Sequence, residues 1–339
     1  MKKTFVTILF AFCLFVPVPN TLAQGTVIAP TASVIQGVPA VTLISLGAEP
    51  RQKLRYRFSG NAELVTMELS MAMGIELAGR TFPKQNMPLF VQTVEIIPTS
   101  INEGGMNYRY TVSKMKIEPV AGVDPAVLRM LQESTQGMVG LTGTGQVNAL
   151  GVSTVGKVSF PVGANPQMIE QVNQLNERIS QVVSPLPVEA VGEGAQWKVE
   201  LPFLTSGIAM TAFHTFEILS IDGDVVKVSV KAQMETRKQL ADIPNLPLGV
   251  RAVVDSMKVS CEGTNEIDLK VMSPVSTLDL KLDQEAAVIQ PGQPDQKMRM
   301  NTEMQLRIKP SELKAGQVEV VGEAEVIEGQ FAVPANPGL

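Results

Sequence analysis

Two side chains of this sequence have the types needed for nucleophilic catalysis, the imidazole of His214 and the thiol of Cys261. An imidazole can activate a thiol, so the two residues would form a catalytic dyad if the fold brought them together. Each lies on an alternating apolar pattern typical of the buried face of a β-strand, which favours a structural role for both. The chain has a single His and no Gly-x-Ser-x-Gly turn, so we predict no catalytic residue, no metal site and no cofactor.

Paired carboxylates are the other side chains that suit hydrolytic chemistry, as in glycoside hydrolases. Glu68 and Glu76 fall on the polar face of one predicted strand, but their separation is about 26 Å at the rise of an extended strand. Carboxylates that flank a scissile bond lie within about 10 Å of each other. Asp222 and Asp224 bracket Gly223 and are typical turn residues. A hydrolase with an unrecognised carboxylate site therefore ranks third among the functions considered.

Composition narrows the class of protein. The sequence has 339 residues, with 28 Lys and Arg against 33 Asp and Glu and a net charge of −5. Binding to nucleic acid requires a basic surface, so we expect no nucleic-acid partner. Hydrophobic residues make up 45% of the chain and charged residues 18%, which is typical of a globular protein.

Residues 1–23 have the features of a secretory signal peptide. Lys2-Lys3 forms a basic start, and residues 4–16 are an apolar run too short to span a bilayer as a helix. Thr21-Leu22-Ala23 offers suitable residues for a signal peptidase, so we predict cleavage before Gln24. The mature protein is then exported, periplasmic or secreted, and has no integral membrane segment.

Methionine outnumbers phenylalanine, with 17 Met against 12 Phe. Met recurs at alternate positions of segments 67–77 and 298–308, and this period of two predicts half-buried β-strands. Because Met is flexible and polarizable, such stripes suit either ordinary core packing or an adaptable surface for an acyl chain or a partner. The candidate ligand-binding residues are apolar members of the two stripes and the tryptophan that begins a later strand: Met67, Leu69, Met71, Met73, Ile75, Met298, Met300, Met304 and Trp197.

Two helices and two turns punctuate the strands. Asp124-Pro125 provides an N-cap and a first-turn proline for a helix that Gly137 ends, and residues 166–183 carry an apolar stripe at helical spacing. Asn102-Glu103-Gly104-Gly105 and Asp222-Gly223 are typical hairpin turns. The helices are predicted to cover the apolar face of the sheet. The remaining predicted strands are 54–58, 89–97, 106–117, 138–150, 151–160, 197–203, 208–221, 225–234, 256–262, 266–271 and 276–282.

These elements predict an α+β fold, a curved antiparallel sheet resembling a half-barrel with a few amphipathic helices on its apolar face. Residues 143–147 match residues 263–267, which raises the alternatives of one duplicated domain or two separate domains. The predicted organisation is a signal peptide at 1–23, an extended arm or edge strand at 24–50, a first sheet half with two helices at 51–185, a second sheet half at 186–312 and a flexible acidic tail at 313–339.

The stretch Leu186-Pro187, followed by Val191-Gly192-Glu193-Gly194-Ala195-Gln196-Trp197, resembles a motif of uncharacterised exported bacterial proteins. The resemblance covers residues 140–240 and implies a domain of unknown function, without catalytic residues to transfer. The predicted architecture is also similar to that of periplasmic lipoprotein carriers and their half-barrel relatives, which is an analogy of fold alone.

Three functions follow from these patterns. The first is a non-enzymatic exported protein that binds an apolar ligand, such as a lipid, or an acylated or protein partner in a groove of the curved sheet. The second is a structural or assembly protein of the cell envelope that uses exposed sheet edges. The third is the hydrolase considered above. An enclosed apolar space would favour the first function, and a packed core with flat exposed edges would favour the second; the ligand and the oligomeric state stay open.

Overall fold

The computed structural model describes residues 40–161, 185–205, 208–236, 238–241, 250–290, 292 and 294–312. The predicted signal peptide, the arm up to residue 39, the helix at 166–183 and the tail at 313–339 lie outside these described residues. No helix within the described ranges is long and apolar enough to span a membrane.

Strands dominate the described chain. The strands are β1 (Ala40–Ser45), β2 (Gln52–Lys53), β3 (Glu63–Leu77), β4 (Arg80–Asn86), β5 (Leu89–Asn102), β6 (Gly105–Glu118), β7 (Thr142–Asn148), β8 (Ser153–Ser159), β9 (Ala190–Val191), β10 (Gln196–Thr205), β11 (Ile208–Asp222), β12 (Val225–Thr236), β13 (Gln239–Ala241), β14 (Arg251–Asp268), β15 (Val275–Ile289) and β16 (Gln296–Glu312). The helix in the described ranges is α1 (Pro125–Gln136). The segments 256–262 and 266–271, predicted as two strands, are mostly covered by the single strand β14.

The predicted α+β class is wrong, because the described structure is almost entirely antiparallel sheet. A few amphipathic helices were expected to bury the apolar face, whereas α1 covers a small part of it. Most of that face is buried by the sheet itself, which bends so that strands near its two edges share one core. Tyr108 of β6 and Phe216 of β11 belong to the same buried cluster, for example. A strongly twisted and curved sheet thus performs the packing that was assigned to helices.

Fourteen of the described strands form a single sheet with antiparallel pairing throughout. From edge to edge their order is β1-β10-β11-β12-β14-β15-β16-β3-β5-β6-β7-β8, with β4 paired to β3 and β13 paired to β14. β2 and β9 form a separate two-stranded sheet. The last described strand, β16, pairs with β3, so it joins the second half of the chain to the first and places both Met-rich stripes at the centre of the sheet.

The two halves of the sheet contain equivalent hairpins, whose residues are offset by 120 positions. Asn102 pairs with Gly105 in the β5–β6 hairpin, and Asp222 pairs with Val225 in the β11–β12 hairpin. Both predicted hairpin turns are therefore confirmed. Each hairpin also has a bulge at the matching position of its first strand, where the register shifts between residues 98 and 100 and between residues 218 and 220.

The loops that follow β7 and β14 repeat the same hydrogen bonds at the same offset. Three pairs of hydrogen bonds correspond, and all six are between 2.9 and 3.1 Å long. In the first pair the N–H of Ala149 donates to Gly104 O and the N–H of Leu269 donates to Asp224 O. In the second pair Gly151 N–H donates to Asn148 O and Val271 N–H to Asp268 O, and in the third Leu150 N–H donates to Asn148 Oδ1 and Lys270 N–H to Asp268 Oδ1. The matching sequences 143–147 and 263–267 lie in the strands that lead into these loops. The same arrangement of hairpin, bulge and hydrogen-bonded loop thus occurs twice within a continuous sheet.

Residues 54–58 were predicted as a strand but form an extended segment between these two loops. The N–H of Tyr56 donates to Ala149 O at 2.9 Å, and the N–H of Arg57 donates to Leu269 O at 2.7 Å. The alternation of apolar residues correctly predicts alternate burial. The partners are loop carbonyls rather than a neighbouring strand, which a single-sequence pattern does not reveal.

Helix α1 starts and stops where the sequence predicts. The carboxylate of Asp124 accepts the N–H of Ala126 at 2.7 Å and caps the first turn, and Gly137 follows the last residue. Leu131 is fully buried and packs in one cluster with Met71 of β3. α1 therefore packs in one cluster with the middle of the β3 stripe, at Leu69 and Met71.

The glycines of the stretch from Val191 to Trp197 allow a close crossing of two backbones. The N–H of Gly192 donates to Leu46 O at 2.9 Å, and a Cβ on Gly192 would lie 1.9 Å from Ala48 O. Gly194 has a φ of +75°, a conformation that side chains with a Cβ rarely adopt. The motif therefore serves the fold, by fixing the chain beside β1 before β10 begins.

Candidate functional site

The two apolar stripes predicted in separate parts of the sequence are direct neighbours in the sheet. β16 pairs with β3 so that every inward-facing residue of one stripe lies opposite an inward-facing residue of the other. The pairs are Met67 with Ile308, Leu69 with Leu306, Met71 with Met304, Met73 with Thr302, Ile75 with Met300, and Leu77 with Met298. The stripes therefore form one apolar surface on the inner face of the sheet.

β15 extends this surface by a third strand. Leu278, Leu280 and Leu282 face inward and pair with Leu306, Met304 and Thr302 of β16. On the other side of β15, Cys261 of β14 pairs with Leu280. The inner face is thus apolar across four central strands, β14, β15, β16 and β3.

Along β15 and β16, buried inward-facing side chains lie on both sides of a half-buried central stretch. Towards one end Val65 and Ile308 are 5% and 4% exposed, and towards the other end Met300 and Ala286 are 1% and 4% exposed. Between these positions Met71, Met73 and Thr302 are buried. Six neighbouring inward-facing side chains are only half-buried, and we call these six the apolar window: Leu69, Leu278, Leu280, Leu282, Met304 and Leu306. The window extends about 14 Å along the strands and about 10 Å across them, from strand rise and the two spacings between β15 and β3.

The window lies where the hydrophobic core divides. Leu278 and Leu306 pack against the largest buried cluster, which contains Trp197. Leu69 and Met304 pack instead against the cluster beneath α1, and Leu282 packs against two further small clusters. The buried core is therefore not continuous along the inner face, and the division coincides with the half-buried side chains.

A pair of buried polar side chains borders the window. Gln284 and Thr302 are 1% and 2% exposed, and both face inward among apolar neighbours. Within the described part of the chain, neither Nε2 nor Oε1 of Gln284 nor Oγ1 of Thr302 has a hydrogen-bond partner. Leaving such a group unsatisfied costs about 1–3 kcal/mol, so buried polar groups normally bond to protein, to ordered water or to a ligand.

The predicted site residues fall into three groups. Met71, Met73, Met298 and Met300 are 8%, 5%, 7% and 1% exposed and belong to the core. Met67, Leu69, Ile75 and Met304 are half-buried, and Leu69 and Met304 line the window. Trp197 is fully buried in the largest cluster, where its Nε1–H donates to Pro185 O at 2.8 Å and its ring stacks on Phe216 with centroids 5.3 Å apart. The structure thus brings the stripe residues together and places Trp197 in the core.

Several residues that border or line the site escaped the sequence analysis. Leu278, Leu280 and Leu282 alternate clearly, but the absence of Met made that strand look ordinary. Thr302 interrupts the Met stripe of β16, and a polar residue at an inward position is the signal that marks it. Gln284 lies beyond the predicted end of its strand at residue 282, so the predicted alternation assigned it to neither face of the sheet.

The inner face around the window is uncharged. Apart from Glu312 at the last position of β16, the one acidic or basic residue at the inward-facing positions of the described strands β15, β16 and β3 is Glu63, at the first position of β3. Its carboxylate accepts the N–H groups of Met272 at 2.6 Å and Ser273 at 3.1 Å, while burial raises its pKa. Charged pairs such as Arg299 with Glu285, at 3.2 Å, lie on the outer face.

His214 and Cys261 do not form a catalytic dyad. Both pair with Ala232 of β12 from opposite sides, so they lie two strand spacings apart, or about 10 Å. Burial, with the nearby carboxylates of Asp279 and Glu262, raises the pKa of the Cys261 thiol to about 11, and burial lowers the pKa of His214. Neither group is therefore activated for nucleophilic chemistry. No cluster of three or more His, Cys, Asp or Glu side chains in the described ranges is arranged to hold a metal ion.

A second, shallow cleft of about 620 Å³ lies beside the extended segment at 54–58. Its two cations already have partners. The guanidinium of Arg55 donates to Pro187 O at 2.9 Å and to Val188 O at 2.7 Å, and that of Arg57 donates to the carboxylate of Asp224. Lys270 also pairs with Asp224 at 2.8 Å. Lys270 and Arg57 together lower the pKa of the Asp224 carboxyl. The carboxylate of Asp224, predicted as a turn residue, thus stabilises the fold. Among the described residues that line the cleft, no cation is left free to bind a ligand.

Comparisons with known proteins give no family. No family model and no curated protein matches the chain. Among solved structures, it is similar to Salmonella typhi OmpF in complex with daunomycin, with a TM-score of 0.18 and 10% identity over 72% of this chain and 98% of that chain. An outer membrane channel from Pseudomonas putida F1 gives a TM-score of 0.15 and 8% identity over 75% and 97% of the two chains. These TM-scores are too low to define a shared fold.

Proposed function

We propose that the protein is a non-enzymatic, exported protein that binds an apolar ligand on the inner face of its sheet. The observation that carries this proposal is the apolar window, whose side chains are half-buried although buried inward-facing side chains lie on both sides of them along each strand. An acyl chain, free or attached to a partner, would cover the window and remove apolar surface from water. That burial contributes about 0.8 kcal/mol for each CH₂ group before the costs of association.

The chemistry of the face supports binding rather than catalysis. The window carries aliphatic and thioether side chains, and the nearest groups with nucleophilic potential, His214 and Cys261, are separated and not activated. Met304, at the centre of the window, adapts its shape to ligands of different length more readily than a branched side chain does. The side chains therefore suit a carrier or sensor of apolar molecules.

The second candidate, a structural or assembly protein of the envelope, draws on the edge strand β1. Within the described ranges β1 pairs with β10 alone, and Ile44 is 57% exposed. An exposed apolar residue on an edge strand favours pairing with another chain. This candidate predicts self-association or partner pairing through β1 and no saturable binding of a small apolar molecule.

The test uses the mature protein, purified from the exported fraction of its host. Native mass spectrometry of this protein should reveal a bound small molecule, and the intact mass should correspond to a chain starting at Gln24. Titration with diphenylhexatriene, a hydrocarbon probe without hydrogen-bonding groups, should show saturable binding. A folded, monodisperse protein that binds no probe would contradict the proposal.

A further inference from the structure

We propose that the ligand carries an uncharged hydroxyl or amide group, which Gln284 and Thr302 hold at one end of the apolar window. This inference rests on the proposed function and adds the chemical class and the orientation of the ligand. The class is a long-chain neutral lipid, such as a fatty alcohol, a monoacylglycerol or a fatty amide.

The position of the two polar residues gives the orientation. Gln284 is the next inward-facing residue after Leu282 on β15, and Thr302 is the next after Met304 on β16. Gln284 pairs with Met300, and Thr302 pairs with Leu282, so the polar residues are diagonal neighbours about 7–8 Å apart. One polar group of a ligand can therefore contact both, while its chain extends over the window towards Leu278 and Leu306.

The hydrogen-bonding capacity of the pair defines the partner. The amide of Gln284 offers two N–H donors and an acceptor, and the hydroxyl of Thr302 offers a donor and an acceptor. A hydroxyl or amide group can accept from one residue and donate to the other. A carboxylate only accepts, and it would leave Oε1 of Gln284 unsatisfied.

The charge of the inner face excludes an ionised head group at this end. The inward-facing positions of the described strands β15 and β16 hold no Lys or Arg, so an anion placed beside Gln284 would be buried without a counter-ion. Burying an unpaired charge costs far more than burying a hydrogen-bonded neutral group. The same face therefore selects a neutral lipid against a fatty acid of equal length.

Buried water is the competing explanation for the pair. Ordered water could satisfy Gln284 and Thr302 if the space beside them holds it, since buried waters make two to four hydrogen bonds. In that case the residues would contribute to the apo protein alone. They would then not discriminate between ligands that differ only in their head group.

The experiment measures displacement of diphenylhexatriene by 1-dodecanol, dodecanoate and dodecane at about pH 8, where the acid is ionised. We expect dodecanol to bind at least about tenfold more tightly than the other two ligands. The variant Gln284→Leu should lose this preference and still bind the hydrocarbon probe, and Thr302→Val should reduce the preference. Because Gln284→Leu removes a buried unsatisfied amide, its melting temperature should not fall below that of the wild type.

The matched control is Gln305→Leu, which makes the same substitution on the outer face of β16, where Nε2 donates to Asp279 Oδ1 at 2.9 Å. This variant should keep the wild-type preference for dodecanol. Equal displacement by all three ligands, or an undiminished preference in Gln284→Leu, would overturn the inference and leave apolar binding intact. Absence of probe binding to the wild type would instead overturn the proposed function.

Discussion

Cys261 of β14 and His214 of β11 flank the same residue, Ala232, and face the same side of the sheet. The intervening strand holds the thiol and the imidazole about 10 Å apart, beyond direct proton transfer. The inner face therefore contains the two side chains that suggested catalysis, but in an arrangement that supports packing.

The first prediction follows from this separation. Cys261→Ser and His214→Gln should each lower the free energy of unfolding by about 1–3 kcal/mol, because each changes a buried or half-buried group. Both variants should retain binding of diphenylhexatriene, which a fluorescence titration measures after urea unfolding has established stability. Loss of binding or of biological activity in a fully stable variant would assign a direct role to that residue.

The second prediction separates core methionines from window methionines. Met300 is 1% exposed, so Met300→Ala should cost about 2–5 kcal/mol of unfolding free energy through lost contacts and a cavity. Met304 is half-buried in the window, so Met304→Ala should cost less and should change probe affinity. Urea unfolding of both variants measures the difference. Equal destabilisation would mean that the window is packed as tightly as the core.

The third prediction concerns the two glycines of the Val191 to Trp197 stretch. Gly194→Ala should cost about 1–2 kcal/mol, because its backbone is left-handed but open space surrounds it. Gly192→Ala should cost more, since its Cβ would collide with Ala48 O on the crossing segment. Thermal unfolding compares the variants. A Gly192→Ala protein as stable as Gly194→Ala would show that the two backbones can separate without loss.

The fourth prediction concerns pH. Burial raises the pKa of Glu63 above its ordinary value of 4.5, so the folded state binds a proton more tightly than the unfolded state. The stabilisation from this group is fully present below the ordinary pKa and disappears as pH rises through the raised value. Glu63→Gln should therefore gain stability relative to the wild type as pH increases from about 4 to 8.

Urea unfolding of both proteins across this range measures the difference in unfolding free energy. Other titrating groups, including Asp224, are shared by the two proteins and largely cancel in the comparison. A difference that is independent of pH, or that favours the wild type as pH rises, would contradict the assignment.

Local patterns predicted the parts of the fold that depend on local physics. The alternation at 67–77 and 298–308 predicted both central strands, Asp124 and Gly137 predicted the ends of α1, and the glycine-containing turns predicted two hairpins. Pairing between β3 and β16 was not predictable, because their residues are separated by more than two hundred positions. The alternation of a strand shows which of its side chains share a face, but it does not show which other strand lies beside it.

The fold class failed for a related reason. The apolar faces of amphipathic strands must be buried. Helices were predicted to bury them, because the curvature of a sheet cannot be read from one sequence. The site was predictable as an apolar surface through its Met residues, whereas the half-buried window depends on where two distant clusters leave a gap. Gln284 and Thr302 become informative only when their burial is known.

Ligand binding in the apolar window is tested most directly by comparing Leu280→Trp with Lys281→Trp in a titration with diphenylhexatriene. Leu280 lies in the middle of the window, and a larger side chain there should fill it; Lys281 is the next residue of β15 and faces outward. If the window binds the ligand, Leu280→Trp weakens binding at least about tenfold without loss of thermal stability, while Lys281→Trp binds as the wild type does. Saturable binding of equal strength in both variants, or unfolding caused by Leu280→Trp alone, would contradict it and identify the window as ordinary core.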